Sequence, residues 1–139
     1  VVATLGAMAT DPGDWYAALN KPGWTPPNWL FPPVWTVLFT LMAVAAWLVW
    51  ERRGAAATHL ALAGFLVQLV LNGLWSWLFF DQRAIGLALV DISLLWLAIA
   101  AVIAAFARIH RVAAALLVPY LVWVSYALAL NAAIVWMNP

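Results

Sequence analysis

The chain has 139 residues, of which 68% are apolar and 8% are charged, with five acidic and six basic side chains. In soluble domains about a quarter of the residues are charged, so this composition excludes a soluble globule, a disordered chain and a basic nucleic-acid-binding surface. The chain has no cysteine, which excludes disulfides, thiolate catalysis and Cys-ligated metals. A membrane helix takes about 20 residues, so there is room for about four or five spans. We expect a membrane protein, in which eleven tryptophans exceed the needs of an ordinary interfacial belt.

The chain begins with a short apolar stretch and a long proline-rich loop. Residues 1–9 are apolar but too short to cross a bilayer, and we interpret them as the end of a truncated first span, with a short buried segment as the alternative. Five of the eight prolines lie between residues 11 and 32, together with the aromatic residues Trp15, Tyr16, Trp24, Trp29 and Phe31. Proline stiffens a loop, and aromatic rings are costly to leave in water. We therefore expect the loop to pack as a lid on the helix ends.

Four apolar stretches follow, near residues 33–50, 60–80, 84–107 and 112–137, with short charged connections between them. Their lengths suit membrane helices. Counting the truncated first span, the sequence predicts an all-α bundle of five transmembrane helices. The proline-rich loop would join helices 1 and 2, and residues 1–139 would form a single domain.

The charges predict an orientation for this bundle. Short connections make successive helices antiparallel, so one face receives Arg52, Arg53, Arg108 and Arg111, and the other receives Lys21 and Arg83. By the positive-inside rule, the Arg-rich face and the N-terminus are cytoplasmic and the loop is outside. Alanine richness and a preference for Arg over Lys favour a bacterial source, hence a bacterial cell membrane.

Polar side chains within the spans fall at one depth beneath the loop. Counting from the span ends at 1.5 Å per residue, Asn72 lies about 12 Å and Asp91 about 10 Å below the outer face. Asn131 lies at a similar depth in the last span, and the second span brings Trp35 and Phe39 into the same layer. Because polar groups in lipid are costly unless they face protein or a cavity, we expect these residues to face inward.

Helical spacing supports an inward stripe on two of the spans. The stripes consist of Gln68, Asn72, Trp75 and Phe79, and of Tyr120, Trp123, Ala127 and Asn131. Together they outline a chamber with indole walls, a few amides and one carboxylate, which is the general form of a small-molecule site. Indoles suit a flat, conjugated or sterol-like ligand, or a cationic head group.

Each of these features also has a purely structural interpretation. Asn72 and Asn131 would then bond to each other or to freed backbone, and Asp91 to an indole N–H or a hydroxyl. His59 and His110 fall on the Arg-rich face as solvated loop residues, so no metal site is predicted. The serines within the spans have no base within helical reach, which argues against a hydrolase. Four tryptophans near span ends suit an interfacial belt: Trp47, Trp50, Trp77 and Trp136.

Several ordered motifs between Trp15 and Asn131 resemble the TspO/MBR family of tryptophan-rich sensory and translocator proteins. They are Trp15-Tyr16, residues 20–27, residues 31–35, Gln68-Leu69, Leu71-Asn72, Trp75-Ser76, Phe79-Phe80, residues 88–91, Pro119-Tyr120, Trp123 and Leu130-Asn131. The resemblance implies a five-helix bundle, usually a homodimer. It also implies that porphyrins such as protoporphyrin IX, and benzodiazepine-type ligands, bind under the first loop.

The pocket positions that the resemblance implies are Trp24, Trp35, Asn72, Trp123, Ala127 and Asn131. A porphyrin carries acidic propionates, for which Lys21 and Arg83 are the outer-face candidates and Lys21 is the expected contact. The tetrapyrrole would be a ligand, and no obligatory cofactor is expected. Cholesterol binding is not expected, since the proposed sterol motif needs Lys or Arg after Tyr120 and neither follows.

Three functional hypotheses remain open at this point. The leading one is a membrane receptor or carrier in tetrapyrrole transport or stress sensing, surrounded by membrane lipid. Some bacterial members of the family are associated with light-dependent porphyrin breakdown, in which Trp123 would take part through photo-excited redox chemistry. The third hypothesis is a scaffold without a bound metabolite.

Overall fold

The computed structural model describes residues 22–25, 30–52 and 56–138. These ranges contain four long α-helices: α1 (Phe31–Trp50), α2 (Ala56–Ser76), α3 (Ile85–Ala107) and α4 (Arg111–Met137). By length and composition, each is able to cross a membrane. They confirm the expected second to fifth spans. The truncated first span, most of the proline-rich loop, Lys21 and Arg53 lie outside the described residues.

Local chemistry explains where α1 and α4 begin. Prolines occupy the first turn of α1, where a missing N–H costs nothing because it has no intrahelical acceptor. At α4, the Nδ1 atom of His110 accepts a hydrogen bond of 3.3 Å from the Ala113 backbone N–H. His110 is half-buried. His110 thus lies in the connection as expected, but it is only partly solvated because its ring caps a helix.

The second helix differs from its expected form at both ends. It begins four residues before the apolar stretch, because Thr58 is held by a 2.8 Å bond from its hydroxyl to the Arg52 carbonyl. His59 consequently lies in α2 and not in the connection. At the other end, α2 continues into one π-helical turn, Trp77–Asp81. Arg83 then reverses the chain with a left-handed φ of 55°.

The described helices form a ring in the order α1, α4, α3, α2. The most extensive contacts join α3 with α4 and α2 with α3, whereas α1 packs mainly on α4 and touches α2 less. The Arg-rich half of the ring is filled by apolar side chains, such as Phe65 and Phe106, whose rings stack at 6.0 Å. The Arg52 guanidinium donates to the Ile109 carbonyl and joins the two connections at this end. Buried polar side chains are concentrated in the opposite half, which positions the candidate site.

Candidate functional site

A hydrogen-bonded network closes the middle of the bundle. The Asn72 amide donates to the Tyr120 hydroxyl at 2.8 Å, and that hydroxyl donates to Gln68 Oε1 at 2.7 Å. Gln68 Nε2 in turn reaches the sulfur of Met42 at 3.8 Å. All four side chains are buried. Because α2 and α4 are diagonal in the ring, these bonds cross its centre, and this layer is called the floor of the site.

A second polar pair lies nearer the π-helical turn. Trp75 Nε1 donates to Asn131 Oδ1 at 3.0 Å, and Asn131 Nδ2 donates to the Ile85 carbonyl at 3.0 Å. Asn72 and Asn131 therefore do not bond to each other, and Asn131 instead bonds to the backbone at the start of α3.

The inward stripe on α2 is confirmed, since every member of it is buried. On α4 the stripe is buried at Tyr120, Ala127 and Asn131, whereas Trp123 is half-buried. Phe79 packs against Trp75 with ring centroids 5.4 Å apart. Periodicity alone was sufficient to predict the buried face of α2, because neighbouring helices cover that face along the whole stripe.

Aromatic rings connect the floor of the site with the 22–25 turn. Trp35 meets Phe39 at 5.7 Å and the edge of Trp123 at 6.4 Å with an interplanar angle of 88°. Trp123 stacks on Tyr126 at 5.9 Å, and Tyr126 meets Trp24 edge-on at 5.4 Å. The structure thus brings together four of the predicted residues.

Tyr126 links these rings but is absent from the predicted site. Its hydroxyl donates to the Trp24 carbonyl, and its ring lies between Trp24 and Trp123. Tyr126 lies three residues after Trp123, so the same helical spacing would have placed it beside that indole. The predicted stripe steps four residues from Trp123 to Ala127 and therefore omits Tyr126.

Two buried polar atoms lack a hydrogen-bond partner in the described part of the chain. They are Trp35 Nε1 and Asp91 Oδ2, on residues that are 2% and 4% exposed. Asp91 lies on the inward face of α3 with Ala88 and Ile92. Buried donors and acceptors are nearly always paired, so each unpaired atom requires a specific explanation. One donor and one acceptor are thus available to a bound molecule.

An apolar groove of about 590 Å³ lies beside these rings, between α1 and α4. It is lined by Leu30, Val34, Leu38, Val118, Pro119, Val122, Trp123 and Tyr126. Trp123 and Tyr126 therefore separate the groove from Trp35 and Trp24. The helix α4 continues through Pro119, which lies in the groove wall.

The remaining tryptophans have other environments. Trp47, Trp50, Trp77 and Trp136 are exposed toward helix ends, where an interfacial belt requires them. Trp96 donates to the Ser125 hydroxyl at 2.8 Å and joins α3 to α4. Across the described ranges, no group of three His, Cys, Asp or Glu side chains is placed to hold a metal ion.

Comparison with known proteins agrees with this architecture. The model of the TspO/MBR family matches residues 1–137. The tryptophan-rich protein TspO of Chlorobaculum tepidum is 45% identical over 133 residues, which cover 92% of this chain and 82% of that protein.

Two further relatives come from a bacterium and a mammal. The tryptophan-rich sensory protein of Cereibacter sphaeroides is 42% identical over 129 residues, covering 93% of this chain and 79% of the relative. The translocator protein of Homo sapiens is 40% identical over 119 residues, covering 84% and 70%. With four helices able to span a bilayer in its described part and a family match along nearly its whole length, the chain is an integral membrane protein that belongs to the TspO/MBR family.

Proposed function

We propose that the chain is a membrane receptor or carrier for porphyrins, with protoporphyrin IX as the representative ligand, and acts in tetrapyrrole transport or stress sensing. The observation that carries the proposal is the unpaired N–H of Trp35, which is buried beside the edge of Trp123. A donor in this position is satisfied when a ligand presents an acceptor such as a carboxylate or a carbonyl oxygen. Porphyrin propionates and the carbonyl groups of benzodiazepine-type ligands both meet this requirement.

The shape of the aromatic wall favours a flat ligand. Trp35 and Trp123 stand perpendicular, so a flat conjugated ring that stacks on one indole meets the edge of the other. The walls are apolar, and most of the affinity would come from ring contact and burial. The names of the relatives, a sensory protein and a translocator protein, fit a binding role of this kind.

The polar residues of the site have different capacities for a ligand. The donors of Asn72 and Asn131 are engaged by Tyr120 and by the Ile85 carbonyl, so these amides contribute mainly to the shape of the site. Asp91 retains an unpaired oxygen and would accept an N–H from the ligand. Lys21 remains the proposed propionate contact from the loop.

The test is a titration of protoporphyrin IX followed by porphyrin absorbance. Trp35→Phe keeps an aromatic ring but removes the donor, and we expect Kd to rise about 10- to 150-fold, as for one lost hydrogen bond to a charged acceptor. Trp136→Phe is the matched control, since Trp136 is 84% exposed at the end of α4. Equal Kd values for the two variants would contradict the role of Trp35. A wild-type protein without saturable binding would favour the scaffold hypothesis.

A second candidate function is light-dependent porphyrin breakdown. It is favoured by the position of Trp123, whose indole stacks on Tyr126 and meets Trp35 edge-on. The test compares porphyrin absorbance under illumination in the presence of dioxygen, with wild-type protein and with Trp123→Phe. Faster loss of absorbance with wild type than with the variant or with detergent alone supports breakdown, and equal rates argue against it.

A further inference from the structure

The segment at residues 22–25 forms a closed turn that is attached to α4. Within the turn, the Thr25 N–H and hydroxyl donate to the Pro22 carbonyl at 3.1 and 2.7 Å. The Trp24 carbonyl points away from the turn and accepts a hydrogen bond from the Tyr126 hydroxyl. The Trp24 indole also meets the Tyr126 ring edge-on at 5.4 Å. One side chain therefore holds the turn through both its hydroxyl and its ring.

Tyr126 also contacts the proposed ligand site. Its ring stacks on Trp123 at 5.9 Å with an interplanar angle of 18°. Trp24 is 48% exposed and Trp35 is 2% exposed, so Tyr126 and Trp123 connect the outer turn with a buried ring of the site. The ring contacts would survive replacement of Tyr126 by Phe, but the bond to the Trp24 carbonyl would not.

We infer that Tyr126 is a positioning residue, which fixes the 22–25 turn on α4 and thereby sets how fast a ligand leaves the site. The first half of this inference is independent of any ligand. The second half rests on the proposed porphyrin-binding function. The physical reason is that the tether keeps Trp24 against Tyr126, which stacks on Trp123, so a ligand beside Trp123 that leaves toward the 22–25 turn passes Trp24.

The tether is tested without ligand. The chain has no cysteine, so a spin label at Gly23→Cys is specific, and a Cβ atom added at Gly23 meets no atom of the described residues within 4 Å. We expect Tyr126→Phe to increase the mobility of this label in its electron paramagnetic resonance spectrum. The matched control is Ser93→Ala, which removes a hydroxyl that bonds to the Leu89 carbonyl of its own helix. Unchanged mobility in Tyr126→Phe would overturn the tether.

The effect on release is tested by stopped-flow dissociation of protoporphyrin IX. We expect the dissociation rate to rise about fivefold in Tyr126→Phe, the factor that one ordinary hydrogen bond provides. It should rise further in Tyr126→Ala, which also loses the ring contacts, and should not change in Ser93→Ala. Increased label mobility with an unchanged dissociation rate would overturn the second half of the inference. If the wild-type protein binds no porphyrin, the proposed function and the role in release both fail, while the spin-label result still decides the tether.

Discussion

At the scale of single residues, the Tyr120 hydroxyl is the central element of the buried network. It accepts from Asn72 and donates to Gln68, which lie four residues apart on the same face of α2. Both of its hydrogen-bonding capacities connect α4 to α2 across the bundle. Hydrogen bonds between membrane helices contribute about 0.6 kcal/mol on average and up to about 1.7 kcal/mol. A single hydroxyl that makes two of them is therefore significant for stability.

We expect Tyr120→Phe to destabilise the bundle by about 1–2 kcal/mol, because it leaves two buried amide groups without their partner. The measurement is the apparent unfolding midpoint in detergent. The control is again Ser93→Ala, whose hydroxyl is exposed and makes a bond of 2.8 Å within α3. A midpoint equal to that of the control would show that the amides find other partners.

At the scale of helices, α2 combines two functions along its length. Its half toward the π-helical turn carries the polar stripe, whereas its Arg-rich half approaches α3 closely. A Cβ atom at Gly64 would lie 3.4 Å from Val102 Cγ2, so an alanine would make a van der Waals contact there and we expect a larger side chain to crowd Val102. At Gly73, on the same helix, an added Cβ meets nothing within 4 Å. Small residues allow this approach between membrane helices.

Substitutions at the two glycines should separate close packing from helix propensity. Alanine at either position should stabilise the bundle by about 0.5–1 kcal/mol, because glycine is the poorer helix former. Gly64→Leu should destabilise the bundle by about 1–3 kcal/mol, because the leucine overpacks against Val102, and should therefore lower the unfolding midpoint. Gly73→Leu is the matched control and should not lower it. Equal effects of leucine at the two positions would contradict the close approach of α2 and α3.

At the scale of the whole molecule, charge and polarity are distributed unequally between the two ends. Glu51, Arg52, Arg108 and Arg111 are exposed at one end. Gln82 and Arg83 are exposed at the other, in the half that contains the candidate site. The positive-inside rule predicts that the Arg-rich end is cytoplasmic, so the site would open toward the outer face.

This orientation is measurable because the chain has no cysteine. With single variants Gln82→Cys and Glu51→Cys, a membrane-impermeant maleimide should label Gln82→Cys on intact cells. Glu51→Cys should react only after the cells are permeabilised, and full reactivity after permeabilisation is the control for access. The reverse pattern would place the candidate site on the cytoplasmic side.

The sequence by itself determined the membrane class, the four described spans to within a few residues, and the inward face of α2. These properties are local, because apolar length selects a membrane helix and the 3.6-residue period selects its buried face. The motifs shared with the TspO/MBR family were also recognisable from the sequence, since they are short strings of residues. The truncated first span and the lid remain predictions.

Only the tertiary structure decided which polar groups meet. The pairing of Asn72 with Tyr120 and of Asn131 with Trp75 depends on how far α4 is displaced along α2, which no single helix encodes. The π-helical turn was not predicted because its apolar composition is the same as that of an α-helix. Tyr126 acquired its role only when the turn at Trp24 came to lie against α4. Contacts between distant segments are set by packing, and packing is a property of the whole bundle.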